Sequence, residues 1–199
     1  VSVRWRLPDG SVRNGTSLTW VVPAAVGNAF TVVAEATDKD GNTGRRAQSL
    51  SLPPPELAEA TGLVFIEAEE LAAEGGGKAK VCHPVNVANA SISYWHQDIG
   101  HWLEWEFQAP ADGTYELWMR YTTGCSGTRR SLLIDGKSPG SVFADIAIPT
   151  TGGWCTDRDQ WVTMRLGTTL ELAAGKHRMR MTNLADGLGV DFFILRPSP

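Results

Sequence analysis

The sequence predicts an all-β chain, a small antiparallel β unit followed by a β-sandwich. Two features lead there: short runs that alternate apolar and polar residues recur along the chain, and Gly-, Asp- and Asn-rich turn clusters separate them. A third is that no convincing amphipathic helix occurs, since Glu56 to Ala60 and Glu67 to Ala73 are brief and abut Pro, Gly or strand-like text.

The first unit spans residues 1–52. Its strand-like runs are Val3 to Leu7, Ser17 to Val22, Ala29 to Thr37 and Ala47 to Leu52, parted by turns such as Pro8-Asp9-Gly10 and Asp40-Gly41-Asn42. Asp38, Asp40 and Asn42 mimic the start of a calcium-binding EF-hand loop. Thr43 stands where that loop needs Gly and Ser49 where it needs Glu, so a hairpin turn is expected. Residues 53–62 follow as a linker, because consecutive prolines at 53, 54 and 55 cannot donate to a ladder and favour an extended spacer.

The second unit spans residues 63–199. Leu103, Trp105 and Phe107 alternate with Trp102, Glu104 and Glu106, and Tyr115, Leu117, Met119 and Tyr121 with Glu116, Trp118 and Arg120. Later runs keep the period: Leu132 to Ile134 before Asp135-Gly136, Leu170 and Leu172, Met179 and Met181, and Val190, Phe192 and Ile194. Many short strands with glycine turns argue for a sandwich.

At 199 residues, with 42% hydrophobic and 20% charged residues, the chain suits a water-soluble fold, not a disordered tail or a membrane bundle. The uncharged stretch from Val21 to Ala34 is broken by Pro23, Gly27 and Asn28 and is too short to span a bilayer. A net charge of -4 has the wrong sign for collecting counterion-release energy from a phosphate backbone, so nucleic acid is not an expected partner. Val-Ser-Val-Arg-Trp-Arg at the start reads as a strand, not a leader, which is the expectation for a mature or excised piece of a larger protein.

Part of the first unit, Trp5-Arg6-Leu7-Pro8-Asp9-Gly10 and Phe30 to Thr43, resembles a polycystic-kidney-disease (PKD) type repeat, an immunoglobulin-like spacer of secreted polysaccharide-degrading enzymes. The second unit carries a longer set of landmarks. They are Phe65-Ile66-Glu67-Ala68-Glu69-Glu70, Ile99-Gly100-His101-Trp102-Leu103-Glu104-Trp105, Ala111-Asp112-Gly113-Thr114-Tyr115, Pro149-Thr150-Thr151-Gly152-Gly153-Trp154, Ala174-Gly175-Lys176-His177 and Val190-Asp191-Phe192-Phe193. Together these resemble carbohydrate-binding modules of families 6 and 35, galactose-binding-like jelly rolls appended to glycoside hydrolases and polysaccharide lyases. Two departures are His101, where Asp is usual, and Gly189-Val190 before Asp191, where Asn is common.

Glu67 and Glu69 lie two apart on a strand and share a face, which suits either an exposed polar edge or a cation site. The resemblance implies the second, a structural calcium held by Glu67, Glu69 and Asp191. It also implies a sugar site at the loop edge formed by Tyr94, Trp95 and Trp154, with Asn183 or Asp186 as polar partner. The chemistry agrees, because flat aromatic faces suit the C–H face of a pyranose while short polar side chains bond its hydroxyls. Trp154 also suits a cap over the core, and a sheet face near Trp118 is the alternative site. Arg129, Arg130, Arg158 and His96 lie in loop text, either solvated or placed for uronate or sulfate groups.

Three cysteines give an odd count without a Cys-x-x-Cys pair. Cys125 and Cys155 share Gly-rich loop text and are expected to form a disulfide, leaving Cys82 as a buried free thiol. No catalytic constellation emerges. Thr128 spoils the nucleophile elbow that Gly124-Cys125-Ser126-Gly127 would begin, the four histidines lack metal-ligand spacing, and Glu104 and Glu106 sit on a regular strand. The expectation is a noncatalytic module that binds a polysaccharide and is joined to a catalytic domain of a secreted enzyme. The other reading is an extracellular adhesion or scaffold module that binds protein.

Overall fold

In a computed structural model, residues 1–21, 29–84, 87, 89–96, 98–156 and 160–198 are described. The chain divides into two compact units, one built from Val1–Ala58 and the other from Glu59–Val85 and Ala90–Pro199. No helix among the described residues is long and apolar enough to cross a membrane.

The first unit is a four-stranded antiparallel sheet ordered β2-β1-β3-β4, with β1 at Ser2–Arg6, β2 at Val12–Asn14, β3 at Ala29–Thr37 and β4 at Thr43–Ser51. Strand β2 falls on the text after Pro8-Asp9-Gly10, where no strand is expected. The described part of the expected Ser17 to Val22 run is not a strand, and Val22 lies outside the described residues. Among the described residues, Leu7, Phe30 and Val32 form its buried cluster, with Trp5, Leu18, Trp20 and Leu52 packed around them. The Asp38 turn is a side-chain-capped hairpin: its Oδ1 accepts from the backbone N–H groups of Asp40 and Asn42 at 2.9 Å, and its Oδ2 from the Asn42 amide.

The second unit is a β-sandwich. One sheet runs β13-β10-β15-β8-β7 and also holds β5; the other runs β12-β11-β14-β9-β6. The first comprises β5 (Val64–Glu67), β7 (Lys80–Cys82), β8 (Ser91–Trp95), β10 (Gly113–Thr122), β13 (Val162–Leu172) and β15 (Leu188–Pro197). The second comprises β6 (Ala73–Gly75), β9 (Trp102–Ala109), β11 (Arg129–Ile134), β12 (Ile146–Ala147) and β14 (Gly175–Ala185). The alternating faces do what their period requires: Leu103, Trp105, Phe107, Tyr115, Leu117, Met119 and Tyr121 are all buried between the sheets. Trp105 meets Phe193 edge to face at 4.8 Å, and its Nε1–H donates to the Ala68 carbonyl at 2.8 Å.

Two details of the pattern come out differently. On β15 the residues of the inter-sheet core cluster are Leu188, Val190, Phe193 and Leu195, with Phe192 and Ile194 buried outside that cluster, because Arg120 and Tyr121 face Phe192 and Val190, leaving Asp191 as an extra residue. That bulge reverses the facing of everything after it. Glu104 is not a solvated carboxylate; it is buried and paired with Arg180 at 2.8 Å and Arg178 at 3.6 Å.

Candidate functional site

At one end of the sandwich, the ends of β7, β8, β10 and β15 and the loop carrying Trp154 enclose a cavity of about 670 Å3. Threonines hold its frame. Thr123 Oγ1 donates to the Gly187 carbonyl at 2.7 Å, Thr122 Oγ1 to the Gly153 carbonyl at 3.1 Å, and the Thr151 N–H to the Thr123 carbonyl at 2.9 Å. These bonds join the end of β10 to the loops on either side of it.

Of the expected sugar-site residues, Tyr94, Trp154 and Asp186 line this cavity, and all three are exposed, Tyr94 at 54% and Trp154 at 46%. The ammonium of Lys80 sits 4.4 Å from the Tyr94 ring centre, and His96 lies 6.2 Å from it at a tilt of 45°. Among the described residues, four non-glycines have left-handed backbone, Tyr94, Asp135, Cys155 and Asp186, and all but Asp135 line the cavity. Such conformations persist where the surrounding structure enforces them, and they concentrate at ligand sites.

Two expected residues are elsewhere. Trp95 follows Tyr94 on β8 and therefore points to the opposite face, where it is wholly buried and donates from Nε1 to the His101 carbonyl at 3.2 Å. Asn183 is also wholly buried. It exchanges backbone hydrogen bonds with Gly100 and His101, and its side-chain amide donates to the Asp98 carbonyl at 3.0 Å. His101, in place of the usual Asp, is buried with Nε2 3.0 Å from Glu74 Oε1.

The loop arginines part ways. Arg129 pairs with Asp145, Arg130 is wholly buried, and Arg158 lies outside the described residues. Trp118 is half-buried, with Nε1 donating to Glu116 at 3.1 Å.

The expected disulfide is absent: Cys82, Cys125 and Cys155 are all free, half-buried thiols, and all line the cavity. Shared loop context brought Cys125 and Cys155 to one rim without setting the bonding geometry a bridge requires. Cys82, expected in the core, sits instead at the cavity edge. Burial, and then the neighbouring Cys82, push the Cys155 thiol up from its ordinary value. Sequence reasoning also missed His83 and the paired Gly187 and Gly189 as cavity walls; the Asp-Gly-Leu-Gly text at 186–189 is the signal that pointed there.

The carboxylate cluster lies in the same sheet, where Glu67 ends β5 and faces Phe192 of β15, while Glu69 lies in the turn beyond the strand and not on it as expected. Burial, then the charges of Glu69, Asp191 and Glu70, push Glu67 up to about 7. Glu69 Oε2 is buried without a hydrogen-bond partner. Asp191 is raised to about 6 by burial, against the opposing pull of Arg120, whose guanidinium bonds it directly. Among the described residues no three such side chains converge as a complete metal-ligand set. Glu67 and Glu69 thus fit a cation by charge and by an orphaned oxygen, while Asp191 already has a basic partner.

Solved structures similar to this chain share its sandwich. A family 35 module of Clostridium thermocellum aligns with a TM-score of 0.57 at 20% identity, over 69% of this chain and 100% of its own. The C-terminal family 6 module of a marine laminarinase from Zobellia galactanivorans gives 0.54 at 20%, over 68% and 99%. A family 6 module of Cellvibrio mixtus lichenase 5A, solved with cellotriose, gives 0.53 at 24%, over 68% and 98%. At these identities the likeness shows the fold. No curated protein matches the chain. The profile of the carbohydrate-binding module family 35 matches residues 81–195, more than half of the sequence, and the chain belongs to that family.

Proposed function

We propose that this module, a noncatalytic carbohydrate-binding domain by its family, takes its sugar in the cavity between Tyr94 and Trp154. The observation that carries this reading is the pairing of two exposed aromatic rings across a concave site whose walls include Asp186. Aromatic faces cover the apolar side of a pyranose, and Asp186, His83 and His96 supply acceptors and donors for its hydroxyls. A glycan array on the isolated chain tests this. Retention of one sugar class by the unsubstituted protein, lost in Trp154→Ala, is the expected result; an array without signal beside capture of a protein partner would support an adhesion role instead.

The module's place is beside a catalytic domain of a secreted polysaccharide-active enzyme. One of the similar structures is a Podospora anserina mannanase that joins a family 26 catalytic domain to a family 35 module. A tethered module raises the effective concentration of substrate near the catalytic site even when its own affinity is weak.

A calcium ion at Glu67 and Glu69, with Asp191 completing the charge, is part of the same reading. Oxygen-only ligands suit calcium over zinc. Bound there, it would neutralise the repulsion that raises Glu67 and satisfy the orphaned Glu69 oxygen.

A further inference from the structure

We infer that Arg130 is a positioning residue for the cavity, its guanidinium fastening the backbone of Trp95 to that of Ala185 and Asp186. Arg130 begins from an unusual place for a cation. Its side chain is wholly buried, and among the described residues it forms no salt bridge; the Asp186 carboxylate acts on it only from beyond ion-pairing distance. A buried charge without a close ion-pair partner is expensive, and an apolar residue of similar volume would fill the space at less cost. Something other than packing accounts for a guanidinium there.

Its hydrogen bonds show what. Nη1 donates to the carbonyls of Arg129 and Ala185, each at 2.8 Å, and Nη2 to those of Trp95 at 2.9 Å and Asp186 at 3.2 Å. The guanidinium carbon lies 4.4 Å from the Trp95 ring centre, so the buried indole is its platform. A planar fork with fixed donor directions can hold carbonyls from separate segments at once; a lysine ammonium is a single point of charge.

Those carbonyls belong to the segments that carry the cavity walls. Trp95 lies between Tyr94, at φ 60°, and His96, while Asp186, at φ 56°, precedes Gly187. Tyr94, His96, Asp186 and Gly187 all line the cavity; Arg130 does not. Left-handed backbone at Tyr and Asp is held only where neighbouring structure fixes it. Arg130 is the one side chain in the described structure that bonds to both segments, and it acts on the site from behind, through backbone.

The link to sugar binding rests on the function proposed above; the link to loop geometry does not. The test uses Arg130→Lys and Arg130→Met in the full 199-residue chain. Amide NMR spectra are compared with those of the unsubstituted protein, and each protein is titrated with cellotriose and with the sugar the array retains best. The expected result is displaced amide signals at Tyr94, His96 and Asp186 with unmoved signals in β9 and β13, and binding weakened about tenfold or more in both variants. Unmoved signals at Tyr94 and Asp186 overturn the inference; displaced signals with affinity within about twofold of the original support the positioning role and overturn the sugar-site reading instead. If the unsubstituted protein retains no sugar, the sugar-site reading fails alone and the NMR comparison still decides the positioning role. Should neither variant melt cooperatively, proton exchange at Arg130 in the unsubstituted protein decides it: Nη protons much slower than those of exposed Arg178 support the clamp, and equal rates overturn it.

Discussion

The indole of Trp154 lies against Gly187 so closely that a Cβ at that glycine would stand 2.5 Å from its Cη2 and 3.3 Å from its Cζ2. A Cβ at Gly124 would likewise meet the indole nitrogen. Neither glycine has a positive φ among those with left-handed backbone, so bare surface, and not conformational freedom, is what these positions supply. Gly187→Ala should push the ring off its seat, shift tryptophan fluorescence and weaken sugar binding about tenfold, with the thermal transition changed little. Unaltered fluorescence and affinity would show that the seat tolerates a methyl group.

Trp154 itself is nearly half exposed and belongs to no buried cluster, so its loss removes binding surface and little core. Trp154→Ala should abolish retention on the array while the melting temperature falls by no more than a few degrees. Loss of the folded state would instead make the ring a core element, and unchanged retention would move the sugar to another surface, the sheet face near Trp118 being the first to examine.

Much of this arrangement is legible in the sequence, and the failures have identifiable causes. The period-two pattern located the inner faces of β9 and β10 because both strands are regular along the residues concerned. It misassigned β15 past Asp191 because a bulge leaves no mark in hydrophobic periodicity. Tyr94 and Trp95 looked equivalent as adjacent aromatics in loop text, yet on a strand neighbours face opposite ways, and only the fold tells which one faces the cavity. Arg130 read as a loop cation; its burial depends on carbonyls brought from Trp95 and Ala185, far away in the chain.

Three thiols should react with a colorimetric thiol reagent under denaturing, nonreducing conditions, since Cys82, Cys125 and Cys155 are all unpaired. Without denaturant the three should react more slowly, because each is half-buried in the cavity wall. A single reactive thiol in the denatured chain would mean that a bridge forms after all.

Chelation tests the carboxylate cluster. Calcium bound to the folded chain and not to the unfolded one raises stability by mass action, so excess chelator should lower the melting temperature and added calcium restore it. Glu69→Gln should remove most of that calcium dependence, because it takes a charge from the pair at the carboxylate whose own Oε2 is buried and unbonded. A melting curve indifferent to chelator, with no metal in the purified protein, would leave Glu67 and Glu69 as a cluster neutralised by protonation and by the basic groups around it.

His177 gives the module a pH dependence remote from the cavity. Its Nδ1 lies 2.7 Å from Asp135 Oδ2 and its Nε2 2.8 Å from the Ala173 carbonyl, both acceptors. A neutral imidazole donates from only one nitrogen, so the imidazolium alone satisfies both contacts. Burial by itself works against that charge, but the Ala173 carbonyl and the Asp135 carboxylate outweigh it, and the pKa is raised above 6.5. A raised folded-state pKa contributes stability that is complete below 6.5 and is lost as pH climbs through the higher folded value. Melting temperature should therefore decline from about pH 6 to about pH 8.5 more steeply in the unsubstituted protein than in His177→Gln, which cannot take the proton. Parallel declines in the two proteins would show that His177 is neutral in the fold and that one of its two acceptors is bonded elsewhere.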